Sequence, residues 1–334
     1  MRALFVGSPC AIAARLLWTW LENGNEVVEF WTPAFIGERH WRQDRWDGRM
    51  RSKWSVSQAL RRHRIPLRVV GPIRRDREAH RRARALGADV LLSGCFMYRV
   101  PTEILDCFGD RAINFHPALL PMYRGADPRA AMILHGKADC YGGVTMHVMS
   151  PEFDTGDIVA VRRVPWGDAR SFDAWDLAMG RAVGSMTAHE LPRYLAGEFV
   201  ASPQTGPASG SLKAKERRIA LDDSMSGARM REVVDRLSAV RRVSVHTPLG
   251  MIRVAGFVRA LGPATGGPPV VSRGRVELDA SDQRVVLRRR RRFARLSDRL
   301  RRALLVRRTS SAHAAIATGA SAPDTAHGRG TGAS

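Results

Sequence analysis

A chain of 334 residues exceeds what one compact core normally holds, so two domains, or one domain with a large appendage, are expected. The composition is globular, with 44% hydrophobic residues; no apolar stretch reaches the length of a membrane span, which excludes an integral helical membrane protein. The net charge of +22 is carried almost wholly by arginine and leaves a nucleic-acid partner open without requiring one.

Cys10, Cys95, Cys107 and Cys140 show no C-x-x-C spacing, so they are predicted to be core thiols of a reducing compartment. The apolar run after Met1-Arg2 is broken by Gly7-Ser8-Pro9 and Arg15, which argues against a signal peptide and predicts a cytoplasmic location.

Taken in order, Arg2 to Val6 is a short apolar strand, Cys10 to Glu22 a helix stopped by Asn23-Gly24, and Val27 to Trp31 a second strand. This β-turn-α-β opening predicts a parallel sheet. Its first turn has one glycine rather than the three of a dinucleotide fingerprint, so no nucleotide cofactor is assigned. Ile36 to Trp54 reads as a loop dense in arginine and tryptophan. That mixture suits phosphate contact with base stacking, or equally a surface loop anchored by its tryptophans.

Alternation then continues. Ser55 to His63 is a helix, Leu67 to Val70 a strand, Asp76 to Leu86 a helix and Asp89 to Ser93 a strand, predicting a doubly wound sheet. Pro101 to Cys107 is a short helix, Ala112 to Phe115 a strand, Leu119 to Gly125 a turn and Pro128 to His135 a helix. Gly143 to Met149 and Ile158 to Val164 are strands separated by a turn at Asp154 to Asp157. Phe172 to Leu195 is a long helix, with Pro192 expected to kink its last turn.

Ser202 to Ser211 is a Pro/Gly/Ser/Thr linker, Asp222 to Leu237 a helix, and the runs within Ser244 to Leu287 suggest a small β domain or truncated barrel. Arg288 to Arg308 is a basic tract with leucines at helical spacing, and Thr309 to Ser334 reads as a disordered tail. The expected fold class is therefore α/β, mostly parallel and Rossmann-like, followed by a small β-rich carboxyl-terminal domain. The expected divisions are 1–200, a linker at 201–216, 217–308 and a tail at 309–334.

The chemistry concentrates between Ile113 and Asp157. Asn114 and His116 lie two apart at the carboxyl end of one strand, so both project to one side. An amide and an imidazole there can both donate to one oxygen, as a developing oxyanion requires. Asp154, from a separate turn, can orient the imidazole or take a proton. No serine or cysteine sits in a nucleophile elbow, so the nucleophile is expected to belong to the substrate, in an acyl transfer. His116, His135, His147, Asp154 and Asp157 could in principle ligate metal, but no zincin-type spacing occurs and no metal is predicted.

Asn114-Phe115-His116-Pro117-Ala118-Leu119-Leu120-Pro121, Tyr123-Arg124-Gly125, Pro128, Gly143-Val144-Thr145 and Asp154-Thr155-Gly156-Asp157 resemble the signature of the 10-formyltetrahydrofolate-dependent formyltransferase family. The likeness covers roughly residues 1–200. It implies that Asn114, His116 and Asp154 are catalytic. It also implies that the turn Ala118, Leu119, Leu120, Pro121, with Gly143 and Val144, lies in the site of the formyl donor, 10-formyltetrahydrofolate. Ala118 stands where the family usually has Ser. The resemblance further implies a primary amine acceptor: the amino group of methionyl-tRNA, an amino-sugar nucleotide or another small amine. With water as acceptor the enzyme would be a hydrolase. The layout after residue 200 is most similar to the tRNA-directed members, whose insertion coincides with the basic Arg39 to Trp54 segment.

Overall fold

The computed structural model describes residues 1–50, 54–167, 169, 171–210, 218–238, 242–248 and 250–290. The basic tract beyond Arg290, the predicted tail, and Arg51 and Lys53 lie outside the described residues.

The amino-terminal half is a seven-stranded sheet built from β1 (Arg2–Gly7), β2 (Glu26–Pro33), β3 (Leu67–Val70), β4 (Val90–Gly94), β5 (Ala112–His116), β6 (Gly143–Val148) and β7 (Ile158–Arg163). The strand order is β3-β2-β1-β4-β5-β6-β7. β1 to β5 are parallel, whereas β6 and β7 join as antiparallel strands at the edge. The expectation of a mostly parallel, doubly wound sheet therefore holds.

Period-two alternation explains why both faces are covered. Ala3 and Phe5 enter one core, and Leu4 and Val6 the other. The first core is closed by α1 (Ala11–Glu22) and α8 (Phe172–Leu195), which pack on each other. The second is closed by α4 (Arg77–Ala85) and α5 (Thr102–Leu105). The remaining helices of this half are α2 (Glu38–Met50), α3 (Val56–Arg62), α6 (Pro128–Leu134) and α7 (Ala138–Tyr141).

The second half carries α9 (Gly227–Leu237) and strands β8 (Arg218–Leu221), β9 (Arg242–Thr247), β10 (Gly250–Pro263), β11 (Val270–Val271), β12 (Arg275–Asp279) and β13 (Gln283–Arg289). They form a six-stranded sheet in the order β11-β12-β13-β10-β9-β8, a β-rich unit that does not close into a barrel among the described residues. Arg229 of α9 reaches across to the carbonyls of Ile133 and Leu134 at the end of α6, tying this unit to the first. Among the described residues no helix is long and apolar enough to cross a membrane.

Three local expectations change. Most of the Arg/Trp segment is the helix α2 rather than a loop. Its Asp44 is buried and accepts the Val56 and Ser57 N–H groups, each at 2.9 Å, and the Ser57 hydroxyl at 2.6 Å, so it caps α3. Trp41 and Trp54 pack against the core, with the Arg15 guanidinium 4.1 Å above the Trp54 ring, whereas Trp46 stays exposed. Two of the three tryptophans thus act as anchors. Asp44→Ala leaves two backbone donors at a helix start unpaired and is expected to cost about 1–2 kcal/mol, read as a lower urea midpoint with unchanged slope.

The helix expected from Asp222 begins at Gly227. The Asp222 carboxylate accepts from Ser224 N at 3.1 Å in a turn, and Ser226 caps the helix by accepting from Arg229 N at 3.2 Å. The described part of the linker, up to Gly210, is a strap lying on the first domain. Its Ser202 exchanges both backbone hydrogen bonds with Ile158, and its Ser209 carbonyl accepts from Arg124 N at 2.8 Å.

Candidate active site

β5 sends Ile113 and Phe115 into the core under α8, so Asn114 and His116 project to the opposite face. β6 runs antiparallel beside it, with Asn114 opposite His147 and His116 opposite Thr145. The same alternation buries Val144 and Met146 and turns Thr145 and His147 to the face of Asn114 and His116. Four polar side chains thus share one patch of sheet.

Asp154 arrives over this patch from the turn between β6 and β7. Its φ of +56° is left-handed, and two residues on, Gly156 passes so close to β6 that a Cβ would lie 2.0 Å from the Val148 carbonyl oxygen. The Asp-Thr-Gly-Asp sequence therefore fits a tight return that aims a carboxylate back at the sheet.

The carboxylate joins every element of the cluster. Oδ2 accepts from Gly125 N at 2.7 Å and lies 3.3 Å from His116 Nδ1. Oδ1 accepts from Asn114 Nδ2 at 3.2 Å and lies 3.4 Å from His147 Nε2. The other side of His116, Nε2, donates to the Tyr123 carbonyl at 2.9 Å. His147 Nδ1 donates to the Val148 carbonyl at 2.8 Å, which leaves Nε2 to accept from Asn114 Nδ2 at 3.0 Å or, when protonated, to donate to Asp154.

His116 is only 4% exposed and His147 only 1%, so the charges here are little screened. Burial pushes the His116 imidazole below its ordinary value and outweighs the pull of Asp154; His147 and Arg129 push the same way. Burial opposes ionisation of Asp154. The combined pull of His116, His147 and the Gly125 N–H overcomes it, and the carboxyl sits well below the usual range. The pair is thus split into a firmly ionised acid and a ring biased toward neutrality. With Nε2 donating to the Tyr123 carbonyl, the nitrogen that gains a proton is Nδ1, which faces the Asp154 carboxylate.

Asn114, His116 and Asp154 are brought together. Asn114 and His116 do share a face, but their donors here point into the cluster rather than to a common external oxygen. His147, weighed in sequence only as a metal ligand, is a full member of the cluster. Its signal was present in Gly143-Val144-Thr145-Met146-His147, where polar residues alternate with apolar ones in a strand beside Asn114. His135 instead lies ring to ring with Tyr123 at 5.8 Å, and Asp157 is exposed.

The six residues expected near the folate divide. Ala118 and Val144 are fully buried and send their side chains into the core under α8, so only their backbone groups could face a ligand. Leu120 is 7% exposed, and its N–H donates to Thr145 Oγ1 at 3.0 Å while that hydroxyl donates to the Ala118 carbonyl at 2.7 Å. Thr145 therefore clamps the turn. Gly143 is needed for packing, because a Cβ there would meet Leu119 Cδ2 at 2.4 Å. Leu119 and Pro121 remain partly exposed and are the members of the turn that can form a wall. A cavity of about 830 Å³ lies elsewhere, between α9, β10 and Trp166, and is lined by no member of the Asp154 cluster.

Residues 47–171, which carry the whole cluster, match the family described as formyl transferase. The chain thus carries a segment that matches the formyl transferase family. Among similar proteins, methionyl-tRNA formyltransferase of Citrifermentans bemidjiense is 31% identical over 207 residues, 61% of this chain and 61% of that protein. The Listeria monocytogenes enzyme of the same name is 32% identical over 120 residues, 36% of this chain and 38% of that protein. The aligned region thus spans less than two thirds of either relative. Among solved structures, an N-formyltransferase from Helicobacter canadensis, in complex with folinic acid and dTDP-3-aminofucose, superposes with a TM-score of 0.58 at 14% identity. The overlap covers 86% of this chain and 99% of that one. HypX from Aquifex aeolicus, in complex with tetrahydrofolic acid, superposes at 0.55 and 16% identity over 86% of this chain and 43% of its own. At these identities the superpositions establish the formyltransferase fold.

Proposed function

We propose that this chain transfers a formyl group from 10-formyltetrahydrofolate to a primary amine. The observation that carries the reading is the buried Asp154 carboxylate, in contact with Asn114, His116 and His147 inside the segment that matches the family.

The amine attacks the formyl carbon, a C–N bond forms, and the carbonyl oxygen becomes an oxyanion. An amide N–H of Asn114, exchanging its partner in the cluster for that oxygen, stabilises it. His116, biased toward neutrality, takes the proton that the amine sheds and returns it to N10 as tetrahydrofolate leaves. Asp154 is too weak a base for that step. Its fixed charge orients His116 and favours the imidazolium while it exists. Holding donor and amine in one cleft supplies the remaining acceleration. Leu119 and Pro121 form the wall on the folate side.

For the acceptor, methionyl-tRNA is the first reading, supported by the names of the relatives similar in sequence and by the net charge of +22. An amino-sugar nucleotide is the second, favoured by the near-complete overlap with the Helicobacter canadensis chain that binds dTDP-3-aminofucose. Incubation of the full chain with 10-formyltetrahydrofolate and either methionyl-tRNA or dTDP-3-aminofucose separates them, with the formylated acceptor identified by mass. An RNA acceptor is expected to show an affinity that falls on the order of 10³-fold or more between about 50 and 200 mM salt. The sugar nucleotide is expected to show a shallow dependence. Formate release with no amine present would mark a hydrolase and defeat the transfer reading.

A further inference from the structure

We infer that Gln204 is a positioning residue that holds the two active-site loops in register; the inference rests on the formyl-transfer reading of the Asp154 cluster. Gln204 sits in a Pro/Gly/Ser/Thr stretch that sequence marks as a linker. The strap is pinned on both sides of it. Before it, Ser202 N donates to the Ile158 carbonyl at 2.9 Å, and Ile158 N donates to the Ser202 carbonyl at 2.8 Å. After it, Ser209 Oγ accepts from Tyr123 N at 2.9 Å, and Ser209 N donates to the Pro121 carbonyl at 3.3 Å.

Between these anchors the Gln204 carboxamide uses its full hydrogen-bonding capacity. Nε2 donates to the carbonyls of Asp154 at 2.9 Å and Gly156 at 2.7 Å. Oε1 accepts from Arg124 Nη2 at 2.6 Å and Nε at 3.2 Å. The carbonyls belong to the turn that carries the catalytic carboxylate. Arg124 belongs to the turn that supplies the Gly125 N–H to that carboxylate and the Tyr123 carbonyl to His116. Neither turn is held to the other by a β ladder, so the Gln204 carboxamide acts with the Gly125 N–H to fix the Asp154 turn against the turn that contacts His116. It also holds the backbone of Asp154, whose φ of +56° is left-handed. A hydrophobic or hydroxyl side chain could not serve, because the position requires two donors and two acceptors in one plane.

Two variants of the full chain test this. Gln204→Met keeps the volume and removes every hydrogen bond. Gln204→Glu keeps the acceptor for Arg124 but sets an oxygen against the two carbonyls. Both are expected to lower kcat for tetrahydrofolate release by on the order of ten- to a hundredfold, since a misplacement of about 1 Å carries a loss of that size. KM for 10-formyltetrahydrofolate is expected to stay within about twofold, because the cluster rather than the folate wall is disturbed.

The second readout is the titration of His116, followed by NMR of the [15N]histidine-labelled chain and assigned by its absence in His116→Asn. In Gln204→Met it is expected to move to lower pH, because Asp154 is the group that favours the charged ring. A folded Gln204→Met with near-normal kcat and an unchanged His116 titration overturns the inference. So does failure of both variants to fold, which makes Gln204 a structural tie only. If the wild-type chain releases no tetrahydrofolate with any acceptor, the transfer reading fails, and the His116 titration still decides whether Gln204 positions Asp154.

Discussion

Replacing Asp154 by Asn is expected to lower formyl transfer by about 10³–10⁴-fold, measured as kcat in a tetrahydrofolate-release assay. The carboxylate meets a donor on each side: Gly125 N–H on Oδ2 and the Asn114 amide on Oδ1. A carboxamide has one acceptor oxygen, so in either orientation one of its N–H groups opposes another donor. The charge that favours the His116 imidazolium is also gone. The accompanying loss of stability is expected to be about 1–3 kcal/mol, the size of one unsatisfied buried group. That is less than the 5–15 kcal/mol typical of a domain, so the variant stays folded while inactive. Near-normal turnover in a folded Asp154→Asn chain would remove the cluster from the mechanism.

His116→Asn has two separable expected effects. The first is a fall in turnover of about 10²–10⁴-fold, the usual contribution of a positioned acid–base group. The second concerns folding. In the folded chain burial holds the His116 ring below its ordinary value. In the unfolded chain the ring gains a proton as pH falls through about 6.5. Between that value and the lower folded one, the unfolded state binds more protons, so stability declines as pH falls. His116→Asn deletes this contribution. Its urea midpoint, plotted against pH from about 7 down to about 5, is expected to decline less steeply than that of the wild type. Asp154 does not confuse the comparison. Its folded value is depressed, so the stability it contributes is complete above an unfolded value near 4 and is lost only at lower pH. Identical slopes for the two chains would contradict a ring buried in its neutral form.

Much of this site could be read without coordinates because it obeys local rules. Asn114 and His116 share a face because strands alternate, and Pro128 and Gly136 bracket α6 through φ preferences of their own. The long helix α8 was visible as one continuous segment. The omissions have a different physical origin. α2 offers no apolar stripe, only arginines and tryptophans around Asp44, and that aspartate has a purpose only once it meets Val56 and Ser57. His147 needs the antiparallel register of β6 on β5 to reach Asn114. Ala118 and Val144 belong to a motif, but motif membership does not say which face a side chain takes; both went to the core. Gln204 acts through four tertiary hydrogen bonds, and nothing in a Pro/Gly/Ser/Thr stretch announces them.

In the proposed reaction the cluster around Asp154 moves a formyl group from 10-formyltetrahydrofolate to an amine. The most direct measurement is amine-dependent tetrahydrofolate release by the purified chain, with wild type and Asp154→Asn assayed side by side against methionyl-tRNA and dTDP-3-aminofucose. The expected result is release matched mole for mole by formylated acceptor in the wild type, and its loss in the folded variant. Release that is independent of the amine, or equal in the two chains, would contradict it.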